Sequence, residues 1–327
     1  MNEFSHYLVF KCIIQRQINS IHFQKNSNYR KSTMTFTKNI STSLLVIATQ
    51  LSALPLVQAQ ILPEATVGIK ITLTKKPTTR PMTVAYMPAS KHYYIADGGL
   101  APQASEFESA MSNSLIHTYS DDGKYLQSVR AGYDNRSIYY NTNSNKLETI
   151  TYNISSDAGF SPNTGIFSID VNEDGTLKES STDVSGFNPA FGHSGTMPSY
   201  DADTNHYYAK QGRSNLVFVV DTKNREKVAE IALDLAKAGV AHDDVSDLYI
   251  AYSGIKSEEL VLLDIDHKAA LIFDLSGKFV GKSELPKTLK LHSQNHFSGL
   301  GYANNMLFVL NENEGEFGTY YGFNVVK

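Results

Sequence analysis

The chain has 327 residues, 41% hydrophobic and 19% charged, which is enough apolar content for a folded core. Its formal net charge of −4 excludes the strongly basic composition that is typical of nucleic-acid-binding proteins. A single cysteine, Cys12, excludes a fold held together by disulfides.

The first element in chain order is an export signal. Residues 39–59 contain an apolar run of the length of a secretory signal, and it ends in Val57-Gln58-Ala59, with small residues where a signal peptidase reads. A membrane-spanning helix is the competing interpretation, but a glutamine, a serine and a proline interrupt the run, and a span needs about 20 mostly apolar residues. We therefore expect cleavage before Gln60, no membrane span afterwards, and a periplasmic or extracellular location.

Met34 begins this signal peptide, residues 34–59, so residues 1–33 are interpreted as a non-native upstream extension, with a genuine N-terminal extension as the alternative. The mature chain, residues 60–327, is expected to form one domain. Without the first 59 residues it loses Cys12, six basic residues and one acidic residue, which leaves 23 basic against 32 acidic residues and a net charge of −9. This charge argues against nucleic acid and anionic membranes as partners.

A β-hairpin whose first strand ends in tyrosine recurs five times along the mature chain. Each copy is a short apolar strand that ends in tyrosine, followed by a polar turn and a second apolar strand. The repeated tyrosines, at intervals of 54, 60, 52 and 50 residues, are Tyr86, Tyr140, Tyr200, Tyr252 and Tyr302. We expect them to pack between neighbouring repeats.

A second pair of strands follows the hairpins around a tight turn. The turns are predicted at Asp122-Gly123, Asp174-Gly175 and Ser276-Gly277, where glycine supplies the positive φ, and near Asn224. Each period therefore holds about four strands, and such periods are typical of β-propeller blades. A two-sheet sandwich is the alternative, although the regular interval favours the propeller.

The last repeat lacks one strand before the chain stops at Lys327, and an unassigned strand, residues 65–76, precedes the first tyrosine. A strand from the opposite terminus would complete the last blade and remove two exposed edges. We therefore predict an all-β propeller of five four-stranded blades, closed by an N-terminal strand. We also expect a helical turn at residues 233–241 and a flap over one face of the propeller at residues 98–113.

The segments before the repeated tyrosines are expected to form a mouth of the central channel, where ligands of propellers usually bind. Seven side chains are the candidate ligand-binding groups: Arg80, Arg136, His193, His242, Asp243, His292 and His296. Because imidazole binds transition metals, His193, His242 and His292 are a candidate site for a divalent metal such as Zn, Cu or Ca. The arginines could bind the carboxylate of a ligand, and the histidines could act in acid–base catalysis. The alternative is that each histidine caps a strand or bonds a backbone carbonyl in its own loop.

The strand–turn rhythm resembles the NHL-type and YVTN-type propellers, a superfamily that includes lactonase-like and lyase-like enzymes. The resemblance covers the mature chain but includes no diagnostic motif, and fold similarity alone does not assign function. Gluconolactonase-like propellers hold calcium through Glu, Asn and Asp, whereas the segments before the tyrosines offer His and Arg. We expect a monomeric, exported scaffold that binds a small molecule or protein at its central channel. A hydrolase or lyase that uses the histidines, and a redox or metal-handling protein, are the alternatives.

Overall fold

The computed structural model describes residues 60–75, 80–98, 114–130, 135–150, 165–186, 189–193, 195–224, 226–312 and 317–327. All of them belong to one compact unit, residues 59–327. The predicted upstream extension and signal peptide, residues 1–59, and residues 99–113 of the predicted flap lie outside the described residues. Within the described part, no helix is long and apolar enough to cross a membrane.

Among the described residues, three antiparallel sheets contain four strands each, in chain order. The first sheet consists of β2 (Arg80–Met87), β3 (His92–Gly98), β4 (Leu115–Ser120) and β5 (Tyr125–Val129). The second consists of β6 (Ser137–Asn141), β7 (Lys146–Ile150), β8 (Gly165–Val171) and β9 (Leu177–Gly186). The third consists of β10 (Ser199–Asp201), β11 (His206–Lys210), β12 (Leu216–Asp221) and β13 (Glu226–Ala232).

The remaining strands form an eight-stranded sheet made of two groups of four. One group consists of β14 (Ala251–Tyr252), β15 (Leu260–Asp264), β16 (Ala269–Phe273) and β17 (Phe279–Glu284). The other consists of β18 (Leu300–Ala303), β19 (Met306–Asn311), β20 (Thr319–Val326) and β1 (Ile61–Thr72). The N-terminal strand β1 pairs antiparallel with β20 along most of its length, as predicted, and meets β17 in parallel at Glu64 and Glu284.

The first strands of the five groups lie side by side. Strand β2 contacts β6, β6 contacts β10, β10 contacts β14, β14 contacts β18, and β18 contacts β2 again. Four-stranded sheets arranged around a shared set of first strands make this an all-β, propeller-like fold.

Burial follows the position of each strand within its sheet. Strands β15 and β16 are buried at all five positions, because neighbouring sheets cover both of their faces, and their sequences are accordingly almost continuously apolar. The fourth strand β13 is exposed at every position except Ile231. Charged side chains along it, such as Glu226 and Lys227, discourage pairing with another chain at this open edge.

The predicted tight turns are confirmed. Gly123, Gly175 and Gly277 have φ values of 81°, 82° and 84°, a region that residues with a Cβ atom rarely adopt. Aspartates preceding two of these glycines fix the turns, since Asp174 accepts a hydrogen bond from the backbone N of Thr176 at 2.9 Å and Asp274 one from Ser276 at 2.8 Å.

The predicted helical turn is also present. Helix α1 (Leu235–Ala238) begins after Asp234, whose carboxylate accepts a hydrogen bond from the backbone N of Lys237 at 3.0 Å. It ends at Gly239, which has a left-handed φ of 78°. The predicted range, residues 233–241, thus contains a shorter helix that is capped by Asp234 and Gly239.

Candidate functional site

Three of the seven predicted site residues line one cleft. His242, Asp243 and His296 line a cavity of about 340 Å³, together with Arg213, Val245, Asp247, Ser293 and Phe297. These residues come from a turn of the third sheet and from the loops that precede β14 and β18. The structure therefore brings together loops that are up to 84 residues apart, counted from Arg213 to Phe297.

The other predicted residues lie elsewhere. Arg136 is only 5% exposed, so its guanidinium is inside the protein and not at an open mouth. His292 is exposed at the start of a 3-10 turn, where its backbone N donates to Oδ1 of Asn295 at 2.9 Å. His193 is exposed and accepts a hydrogen bond from the backbone N of Gly195 on Nδ1 at 3.1 Å. Arg80 begins β2.

The predicted metal ligands do not converge. Among the described residues, which include His193, His242 and His292, no group of three or more His, Cys, Asp or Glu side chains is placed so that it could hold a metal ion. Each of these histidines is exposed and belongs to a different loop.

Asp247 joins the three loops of the cleft. Its Oδ1 accepts a hydrogen bond from the backbone N of Arg213, and its own backbone N donates to the carbonyl of His296 at 2.8 Å. Arg213 has a φ of 52°, which is unusual for a residue with a long side chain, so this hydrogen bond stabilises a strained backbone. Arg213 is exposed on this turn and lines the cleft.

The two histidines of the cleft are oriented by separate partners. Nδ1 of His296 lies 3.0 Å from the carbonyl of Val245, which can only accept, so Nδ1 carries the proton. His242 forms a close pair with the exposed Asp243, with 3.0 Å between Nε2 and Oδ1. A backbone contact therefore orients His296, whereas His242 and its carboxylate partner are both exposed.

A buried lysine stabilises the turn that carries Arg213. Nζ of Lys210 donates to the carbonyl of Gln211 at 3.0 Å and to the carbonyl of Ser214. Burial lowers the pKa of Lys210 to about 8, and the nearby Asp247 partly opposes this effect. The lysine thus clamps both ends of the turn between β11 and β12.

Gly212 allows two side chains to approach this turn. A Cβ atom at Gly212 would lie 3.0 Å from Nε2 of His193 and 3.3 Å from Oδ2 of Asp247. Any larger residue would therefore push against His193 and the carboxylate that holds Arg213. Although His193 does not line the cleft, it packs against the turn that does.

A second cavity, of about 390 Å³, lies among the first strands of all five groups. All five repeated tyrosines line it. Packing between groups is confirmed for two of them: the Tyr252 ring stacks on Tyr208 with 5.0 Å between centroids, and the Tyr200 ring lies 5.1 Å from that of Tyr139. The sequence predicted only that the tyrosines pack between repeats. It did not predict this cavity, because the cavity exists only when the five strands surround a single space.

No model of a known protein family matches the chain, and no curated protein matches it. Solved structures with similarity include a glutaminyl cyclase from Myxococcus xanthus, with 10% identity and a TM-score of 0.47, over 80% of this chain and 97% of that one. A protein of unknown function from Bacteroides caccae has 13% identity and a TM-score of 0.34, over 64% of this chain and 69% of that one. Hydrazine synthase from Kuenenia stuttgartiensis has 14% identity and a TM-score of 0.34, over 73% of this chain and 56% of that one.

Proposed function

We propose that this protein is an exported, five-bladed propeller that binds a small carboxylate-bearing molecule in the cleft around Arg213. The closed series of contacts among β2, β6, β10, β14 and β18 and the pairing of β1 with β20 support five blades. A crystal structure of residues 60–327 with another number of sheets around the ring would contradict this. The signal-like pattern of residues 39–59 supports export, and mass spectrometry of the exported chain should identify Gln60 as its first residue.

The presentation of Arg213 is the observation that carries the binding proposal. Arg213 lines the cleft on an exposed turn, while its strained backbone is held by Asp247 and supported by Lys210. Strain of this kind concentrates at binding sites, where the surrounding structure stabilises it. A planar guanidinium binds a carboxylate through two parallel hydrogen bonds, which makes a carboxylate the best-matched anion for a small ligand.

The other walls of the cleft define the rest of the ligand. Asp243 and Asp247 supply carboxylates that favour an ammonium group. Phe297 is 45% exposed, an unusual position for a phenylalanine, and offers an apolar surface beside them. An amino-acid-like molecule with an apolar side chain satisfies all three walls, and the volume is within the usual range for ligand sites.

Three matched probes separate these contributions. Phenylalanine, 3-phenylpropanoate and phenethylamine share an aromatic ring and differ in the charged groups that they carry. Titration calorimetry on the full mature chain should give the tightest binding for phenylalanine, and each single-group analogue should bind about tenfold more weakly, because each loses one charge-assisted hydrogen-bonding group.

Arg213→Ala tests the assignment of the carboxylate. We expect it to weaken phenylalanine and 3-phenylpropanoate about tenfold and to leave phenethylamine unchanged. Arg130→Ala removes another exposed arginine outside the cleft and is the matched control. Equal effects of the two substitutions, or no binding of any probe by the unaltered protein, would contradict the proposal.

A further inference from the structure

The cavity among the five first strands has a composition unlike that of the cleft. It is lined by seven tyrosines, which are the five repeated ones together with Tyr139 and Tyr249. Among the described residues that line it, none is acidic, basic or histidine, and the remaining ones carry aliphatic groups, hydroxyls or amides. A charged ligand would lose its hydration here without gaining a counter-charge, so the cavity favours an uncharged one.

Some of the hydroxyl groups that the structure describes around this cavity form hydrogen bonds within the protein, and others do not. Tyr200 donates to Oδ1 of Asn205 at 2.9 Å, and Tyr140 donates to Asn145 in the equivalent turn. By contrast, the hydroxyl of Ser199 is buried without a hydrogen-bond partner among the described residues. Although Ser199 lines the cavity, its hydroxyl oxygen has almost no accessible surface, so the tyrosines are the candidates for hydroxyl contacts with a ligand.

Tyr302 offers a further hydroxyl. Burial alone raises its pKa to about 12, with no hydrogen bond opposing the effect, so the phenol stays protonated at neutral pH. Tyr86 on the neighbouring first strand also has a raised pKa, caused by burial and then by Asp121. The cavity therefore provides uncharged hydrogen-bond donors on neighbouring strands, next to the amides of Asn304 and Asn305.

We propose that the tyrosine-lined cavity binds a neutral mono- or disaccharide. Such a ligand carries hydroxyl groups around its perimeter, which match hydroxyls and amides contributed from several sides, and its C–H faces can lie against aromatic rings. The chain has no tryptophan, so tyrosine supplies the aromatic surface. The volume of about 390 Å³ suits a ligand of this size. This site is distinct from the Arg213 cleft and rests on different observations.

Titration of the full mature chain with sugars tests the proposal. The probes are glucose, galactose, mannose and their disaccharides, together with glucuronate and glucosamine as charged counterparts. At least one neutral sugar should bind, and its charged counterparts should bind at least tenfold more weakly, because the cavity has no charge to pair with them. Absence of binding by every neutral sugar, or equal binding of the charged ones, would overturn the proposal.

Tyr302→Phe then locates the site, since it removes a hydroxyl and keeps the ring. We expect about fivefold weaker sugar binding with an unchanged melting temperature. Tyr321→Phe makes the same chemical change on β20, outside the cavity, and should have no effect on binding. Arg213→Ala should also leave sugar binding intact. Sugar binding that is insensitive to both Tyr302→Phe and Tyr86→Phe would place the ligand elsewhere and overturn the assignment.

Discussion

Lys210 shows how one residue connects stability with the cleft. Its side chain is fully buried, yet both of its identified partners are neutral carbonyl groups of the turn that carries Arg213. The charged form therefore loses its hydration without gaining a close counter-ion, which explains the lowered pKa. Holding this cation inside the protein has a cost that depends on pH.

We predict that the protein becomes more stable as the pH rises from about 8 to about 10. The pKa of Lys210 is about 8 in the folded protein and near its ordinary value of 10.5 when unfolded. Between these values the unfolded chain binds more protons, so the free energy of unfolding increases with pH, by about 1–3 kcal/mol in total. Urea unfolding at several pH values, compared with Lys210→Met, measures this increase.

The exposed Lys223 provides the control for this measurement. Lys223→Met should keep the pH dependence of the unaltered protein, whereas Lys210→Met should lose it. Parallel stability profiles for the unaltered protein and Lys210→Met would show that the buried amine does not titrate in this range.

Among the elements, the tight turns are the best-defined link between sequence and fold. Gly277 in the β16–β17 turn has a φ of 84°, and a Cβ atom there would lie 2.1 Å from the carbonyl oxygen of Ala232 in the neighbouring sheet. The backbone N of Asp234 also donates to the carbonyl of Gly277 at 2.8 Å. This turn therefore serves both its own hairpin and the contact between two sheets.

Gly277→Ala should destabilise the protein by about 2–4 kcal/mol, because it combines an unfavourable φ with a clash against rigid backbone. Gly254→Ala separates the two causes. Gly254 has a φ of 72°, but a Cβ atom there would approach only Tyr252, at 4.0 Å. We expect it to cost about 1 kcal/mol in chemical denaturation. Similar losses for both variants would mean that the contact between the sheets contributes nothing.

Local chemistry explains which elements could be predicted from the sequence. The Asp-Gly and Ser-Gly turns, the capped helix α1 and the terminal strand that pairs with β20 all depend on residues close together in the chain or on a missing partner strand. His242, Asp243 and His296 were identified because they precede repeated tyrosines. Arg213 and Phe297 were missed, because the cleft depends on contacts between separate loops. The charge of Arg136 suggested that this residue lies at the mouth of the central channel, but the fold buries it.

At the scale of the whole molecule, the two cavities lie towards opposite ends of the first strands. The cleft is formed by loops that precede β14 and β18 and by the turn after β11, whereas the repeated tyrosines lie at or near the other ends of the first strands. The residues that line the two proposed sites do not overlap. We therefore propose two independent binding sites on one scaffold.

The most direct test is calorimetric titration of phenylalanine and of the best neutral sugar into three proteins: the unaltered mature chain, Arg213→Ala and Tyr302→Phe. Two independent sites predict that the unaltered chain binds both ligands, that Arg213→Ala weakens only phenylalanine, and that Tyr302→Phe weakens only the sugar. Loss of both ligands in either variant, or failure of the unaltered chain to bind them, would contradict two independent binding sites.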